Sequence, residues 1–239
     1  MPLVWDQGRA AVSIAAVARW LERVFGGVHA AMMRKKPYDP ATFWEARADE
    51  DIYTRDHPEL YAERGWSLRG GELEAEIVPK WLHEAGIETV LVPGAGSGAQ
   101  YVYLLQHGFR PHGFDISPTL VATCIERFAS VHTQVGNVVG AEFHEAPADA
   151  VVASAVLQHI PPHEIKVAIA SLKALARKLI VVRELTSLDA GSSYQFAHDY
   201  DALFADWSEV HRELVDEAAH YRTDLIAWKR PDVMSGAGK

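Results

Sequence analysis

The chain has 239 residues, 49% of them apolar and 23% charged, which suits one substantial domain with an appendage and excludes an intrinsically disordered chain. A formal net charge of −9 argues against a protein that grips nucleic-acid backbone, since the densest basic run is only Arg34, Lys35 and Lys36. The lone cysteine, Cys124, excludes an internal disulfide framework and a cysteine-rich zinc site, and it fits a reducing, cytoplasmic setting.

In chain order, the first 33 residues are rich in Ala and Val, but Arg9, Arg19, Glu22 and Arg23 interrupt them. They predict an amphipathic helix, with neither a membrane span nor a signal peptide. Up to residue 70 the sequence is aromatic and Arg-rich with helical character, read as an N-terminal cap over residues 1–70. From residue 71 to 230, helical and extended patterns alternate as in a βαβ architecture. Residues 231–239 read as a flexible tail.

Within that core, 72–85 predicts a helix stopped by Gly86, and 89–92 a short apolar strand buried on both faces. A helix over 99–107 follows, then an extended run over 109–114 that ends on Asp115. Leu120, Val121, Cys124, Ile125 and Phe128 recur at helical spacing, and 149–154 reads as a second buried strand. Ile165, Ala168, Ile169, Leu172, Leu175, Ala176 and Leu179 form one stripe at a 3.6-residue period, preceded by Pro161 and Pro162. Residues 179–182 read as a third buried strand, and 207–228 as two longer, partly polar strands, an antiparallel pair.

The most informative segment is Val90-Leu91-Val92-Pro93-Gly94-Ala95-Gly96-Ser97-Gly98, a buried strand running into alternate glycines and then a helix. Glycine lets a ligand approach the main chain, and the helix N-terminus offers free N–H groups to an anion. Asp115 stands 21 positions beyond Gly94, where a nucleotide-binding α/β fold places its acceptor for ribose hydroxyls. Strand, loop and acid in this order predict nucleoside binding. The alternate reading of Asp115 is a helix N-cap.

The run from Gly94 to Ala99 tolerates the dinucleotide fingerprint, but its Gly-x-Gly-x-Gly form resembles motif I of class I S-adenosylmethionine-dependent methyltransferases. Asp115-Ile116-Ser117 before a helix resembles the segment after their second strand. Asp149-Ala150-Val151-Val152-Ala153-Ser154-Ala155-Val156-Leu157-Gln158-His159-Ile160 resembles the fourth strand and following loop of many small-molecule members. The resemblance covers about residues 72–228. One departure is Pro93, at or beside a position where many members carry an acid; the Val-Pro-Gly form resembles thiopurine- and halide-type methyltransferases.

The resemblance implies a Rossmann-like α/β fold: a mostly parallel sheet with helices on both faces, a C-terminal antiparallel hairpin and a helical N-terminal cap. It implies S-adenosyl-L-methionine as cofactor. Gly94, Gly96 and Gly98, with Pro93 and Ala95 in the same loop, would line its methionine part. Asp115 would hold the ribose, and Ile116 would pack on the adenine. Asn137 falls where members often have a polar residue facing the adenine amino group, and Ser154 and Ala155 would lie beneath the sulfonium.

Methyl transfer mainly needs alignment and exclusion of water, and a base only for acceptors that hold their proton. His159 and Glu184, at strand ends on the carboxyl edge of the sheet, are the catalytic candidates. The competing roles are orientation of the loop for His159 and ion pairing for Glu184. His198 and Tyr200, and Tyr53, Arg55 and Trp66 from the N-terminal segment, are candidates for acceptor contacts. No metal is expected. The expected partner is a small-molecule acceptor methylated on oxygen, nitrogen or sulfur, without nucleic acid or membrane, and a homodimer stays open. The rival readings are an NAD(P)-dependent oxidoreductase and a non-catalytic nucleoside-binding protein.

Overall fold

The computed structural model describes residues 38–56, 69–140, 147–188, 194–218 and 220–231, without the side chains of 50–56 and 69. The chain divides into two compact units, Met1–Tyr38 and Asp39–Lys239. The described residues from Asp39 onward belong to the second. The expected amphipathic helix of the first 33 residues and the tail beyond 231 lie outside the described residues.

The second unit runs α1 (Pro40–Asp56), α2 (Arg69–Glu84), β1 (Thr89–Pro93), α3 (Ala99–Gln106), β2 (Arg110–Asp115), α4 (Pro118–Arg127) and β3 (Thr133–Val135). It continues with β4 (Ala148–Ser154), a 3-10 turn (Leu157–His159), α5 (Ile165–Leu175), β5 (Ala176–Leu188), α6 (Tyr200–Leu203), β6 (Ser208–Ala218) and β7 (Tyr221–Lys229). Helix α2 includes Gly70 and Gly71, so the chain is helical across the cap boundary read at that point.

The seven strands form one sheet in the order β3-β2-β1-β4-β5-β7-β6. β3, β2, β1, β4 and β5 are parallel, and β7 joins β5 and β6 antiparallel. This is the Rossmann-like sheet with its C-terminal hairpin, and the order reverses at β1–β4, where α/β folds open a ligand crevice.

Strand alternation divides the core. Val90, Val92, Val152, Val181 and Leu225 turn to one face, against Val78, Leu82 and Leu104 of α2 and α3. Leu91, Val151, Ile180, Val182 and Ile226 turn to the other, against Ile169 and Leu172 of α5 and Phe204 after α6. Residues that alternate between two buried faces read as continuous apolar runs, which is why these strands were visible in the sequence.

Local chemistry sets the ends. Ser117 caps α4 by accepting the Leu120 N–H at 3.2 Å, with Pro118 in the first turn. α5 stops at Leu175, four residues before the apolar stripe ends. Ala176 and Leu179 belong to β5, opposite Ala148 and Ala150 of β4. Both are buried in the strand, so the apolar spacing read as helix runs on past the boundary, which pairing with β4 sets. β5 also extends well beyond the four apolar residues, because the polar residues after Val182 find partners.

Candidate functional site

β1 delivers the chain to the carboxyl edge of the sheet, where Gly94 (φ 62), Gly96 (φ 54) and Gly98 (φ 90) turn it into α3. Two of these positions are sterically closed to any side chain. A Cβ on Gly94 would come within 2.2 Å of Val156 Cγ2, and one on Gly98 within 2.5 Å of the Phe128 ring. At Gly96 an added Cβ would meet nothing within 4 Å, so the bare main chain faces open space. The Arg127 guanidinium ties the loop to α4, donating to the Ser97 carbonyl at 2.7 Å.

Asp115 ends β2 beside this loop. One carboxylate oxygen accepts the Gly96 N–H at 2.8 Å and the other the Ser117 N–H at 2.9 Å. Burial pushes its carboxyl above its ordinary value, while the Ser117, Gly96 and Ile116 amides pull the other way. The ribose candidate thus also fastens the glycine loop to the start of α4.

These residues line one cleft. Gly94, Gly96 and Asp115 are among them, with Phe114, Ile116, Leu120, Gly136, Asn137 and Val138. Ser154, Ala155, Val156, His159, Ile160, Pro40 and Trp44 complete its wall. Of the cofactor candidates, Gly94, Gly96, Asp115, Ile116, Asn137, Ser154 and Ala155 are in the lining. Pro93 and Ala95 are buried in the strand end and loop, and Gly98 is buried against Phe128. Ala155 holds a left-handed conformation (φ 55) and donates its N–H to the Arg183 carbonyl at 2.9 Å.

His159 lines the cleft and is nearly buried. A carbonyl only accepts, so Nδ1–H donates to the Tyr194 oxygen at 2.7 Å and Nε2 is left as the acceptor, 3.3 Å from the Gln158 amide nitrogen. Burial lowers its pKa to about 4; the Tyr194 bond opposes the shift and the Arg47 charge adds to it. The ring is neutral at pH 7. Trp44 of α1 meets it edge-on, with centroids 4.7 Å apart.

Glu184 is fully buried on the far side of that loop, outside the cleft lining. Its carboxylate accepts the N–H groups of Val156, Leu157 and Gln158 at 2.8, 2.9 and 3.0 Å, closing the open end of the 3-10 turn. Burial pushes it up to about 7 against those three donors. His198 and Tyr200 are likewise outside the lining. The His198 Nε2–H is shared between the Leu157 and Ile160 carbonyls, each at 3.1 Å. The Tyr200 hydroxyl is buried without a hydrogen-bond partner among the described residues. Tyr53 and Arg55 fall on α1, with side chains outside the described residues, as Trp66 is altogether.

Three groups escaped the sequence reading. Trp44 and Pro40 bring α1 over the cleft. Glu45 fixes that helix, accepting the Ser117 hydroxyl at 2.6 Å and the Thr119 hydroxyl at 2.5 Å. Glu74 of α2, 2% exposed, gathers Arg183 Nε and Ser154 Oγ, both at 2.6 Å, and Tyr103 OH at 2.8 Å. These contacts join residues 72 to 109 positions apart, except Tyr103 at 29, and none leaves a local signature. Among the described residues no group of three or more His, Cys, Asp or Glu could hold a metal ion.

Residues 90–178 match the family described as a methyltransferase domain. Solved structures share the fold. One is magnesium protoporphyrin IX methyltransferase from Synechocystis PCC 6803, with bound S-adenosylmethionine (TM-score 0.62, 18% identity, 81% of this chain and 98% of that one). A second is 1,6-didemethyltoxoflavin-N1-methyltransferase from Burkholderia thailandensis, with its substrate and S-adenosylhomocysteine (TM-score 0.59, 19% identity, 82% and 92%). A third is a TehB-like methyltransferase from Corynebacterium glutamicum (TM-score 0.59, 16% identity, 78% and 99%). No curated protein matches the sequence. Residues 90–178 are thus similar to a methyltransferase domain, and the sheet shares the Rossmann-like fold of solved methyltransferases, one of them holding S-adenosylmethionine. The cleft agrees with that cofactor: a buried carboxylate for hydroxyls, an apolar slot for a flat base, and bare glycine main chain between them. No described helix is long and apolar enough to cross a membrane.

Proposed function

We propose that the chain methylates oxygen, nitrogen or sulfur of a small-molecule acceptor by in-line displacement. The observation that carries this reading is that one cleft is lined both by Asp115 and the glycine loop and by Trp44 and His159. S-adenosylmethionine supplies a methyl carbon activated by positive sulfur. In this reading Asp115 accepts from the ribose hydroxyls, and Phe114, Ile116, Leu120 and Val138 enclose the adenine beside Asn137. Gly94 and Gly96 let the methionine part approach the main chain, while Ser154 and Ala155 floor the reacting end. The acceptor enters beside His159, Trp44 and Ile160, where apolar walls exclude water. His159, neutral and with Nε2 as its acceptor nitrogen, receives a hydrogen bond or proton from the acceptor. Glu184 and His198 hold the loop that carries it, and Tyr200 packs behind.

The solved relatives named for magnesium protoporphyrin IX and 1,6-didemethyltoxoflavin act on small molecules, and they support the same substrate size here. The acidic balance and buried Cys124 favour a cytoplasmic enzyme without a nucleic-acid substrate. α1 serves as part of the cap.

The test is calorimetric titration with S-adenosylmethionine, S-adenosylhomocysteine, NADH and NADPH, on the wild type and Asp115→Ala. The two sulfur nucleosides should bind alone, and the substitution should weaken them at least ~10-fold, the loss expected for a charged hydrogen-bond acceptor. Binding of NADH or NADPH instead would overturn the reading. Methyl transfer to a panel of phenols, amines and thiols then finds the acceptor, and cofactor binding with no turnover on any class would favour a non-catalytic protein.

A further inference from the structure

The Glu74 cluster is a buried polar assembly that the proposed function leaves without a role. Three elements send their polar groups to one carboxylate: Tyr103 from α3, Ser154 from β4 and Arg183 from β5. Ser154 and Arg183 are register partners across β4 and β5, so their side chains emerge side by side on the α2 face. Ser154 also lines the cleft. A buried carboxylate therefore stands one side chain behind the cleft wall.

The direction of the hydrogen bonds carries the inference. A serine hydroxyl has one proton and two lone pairs, whereas an ionised carboxylate only accepts. The Arg183 guanidinium, which can only donate, is bonded to the same oxygen, Oε2, that faces Ser154, so that oxygen serves as an acceptor. The Ser154 proton is thus committed to Glu74, and its oxygen has only lone pairs left to offer the cleft. A group that meets it there must be a donor. At the sulfonium end of S-adenosylmethionine the donor is the α-ammonium of the methionine part. The adenine amino group and the ribose hydroxyls belong to the other end.

We propose that Glu74 is a positioning residue for the cofactor: by taking the Ser154 proton it turns Ser154 Oγ into an acceptor for the methionine ammonium. The proposal rests on the cofactor placement given above. Arg183 balances the Glu74 charge, so the selectivity comes from the fixed direction of the hydroxyl and not from net negative charge.

Three ligands test it by calorimetry. S-adenosylhomocysteine has the ammonium and the carboxylate, decarboxylated S-adenosylmethionine keeps only the ammonium, and 5′-methylthioadenosine has neither. Ser154→Ala, which leaves the Glu74–Arg183 pair intact, should weaken the two ammonium-bearing ligands roughly ten-fold, as for loss of a hydrogen bond to a charged group. It should leave 5′-methylthioadenosine within about two-fold of wild type, because no such bond is lost. Glu74→Gln should reproduce the pattern; should it fail to fold with Arg183 left unpaired, Ser154→Ala decides alone. Equal losses for all three ligands, or no loss for either ammonium ligand, would overturn the proposal while leaving the cofactor reading intact. If the wild type binds none of the three, the cofactor placement falls and this inference with it.

Discussion

Arg183 and Glu184 are adjacent on β5, and the strand's alternation sends their charges through opposite faces of the sheet. Arg183 reaches Glu74 on the α2 side. Glu184 reaches the three amides after β4 on the other. Between them they fix both sides of the segment from Ser154 to Gln158, which forms one wall of the cleft. A wall held from both faces is preorganised for a reaction that depends on alignment.

Anchoring predicts that Glu184→Ala strands three buried N–H donors and costs about 3 kcal/mol of stability, read by urea unfolding. Glu184→Gln keeps one acceptor oxygen, so it should cost less, and its loss of turnover should follow the loss of loop order. Full stability of Glu184→Gln with turnover abolished would point instead to a direct chemical role.

Gly94→Ala combines left-handed strain with the approach to Val156. The backbone strain alone costs about 1–2 kcal/mol. Thermal unfolding should register that and more, and S-adenosylhomocysteine binding should weaken with it. Adding Val156→Ala removes the clashing methyls, so the double variant should recover part of the loss. Recovery would separate the steric cause from the conformational one.

His159 links stability to pH. Its folded pKa is held down to about 4, below the ordinary 6.5, chiefly by burial. Its contribution is therefore complete above pH 6.5 and is lost as pH falls toward 4, where the unfolded chain binds the proton first. The loss is at most ~3 kcal/mol. His159→Asn, which can still donate to the Tyr194 carbonyl, should flatten the slope of unfolding free energy over this range. The residual slope includes His198, which burial shifts in the same direction.

Trp44 stands on the cleft wall against His159, so filling the cleft should alter its surroundings. S-adenosylhomocysteine should change the tryptophan emission of the wild type, and Trp44→Phe should remove most of that change although six other tryptophans remain. An undiminished signal in the variant would place α1 away from the bound ligand.

The part of the cleft around the glycine loop was legible because it is local: strand, glycine loop and Asp115 follow one another within 26 residues of sequence, from Val90 to Asp115. Asn137 was placed by the resemblance alone; it follows β3, a strand of only three residues that left no pattern in the sequence. The part around His159 was legible only as chemistry. His159 was read correctly as a residue at the mouth of the sheet, but nothing near His198 or Glu184 in sequence tells that their polar atoms turn to backbone partners and not to the cleft. Glu74 looked like any charged position of an amphipathic helix. Only the arrival of Arg183, 109 positions later, makes it a buried centre.

The order β5-β7-β6 also governs how the molecule is made. β6 is synthesised before β7, yet among the described strands it pairs with nothing but β7, which lies between it and β5. Until β7 is made, β5 lacks its antiparallel neighbour and β6 lacks the one strand it pairs with among the described residues. Exposed edges are where nascent chains pair wrongly. The charged residues along β6, Glu209, Arg212, Glu213, Asp216 and Glu217 among them, are of the kind that disfavours wrong pairing at such an edge.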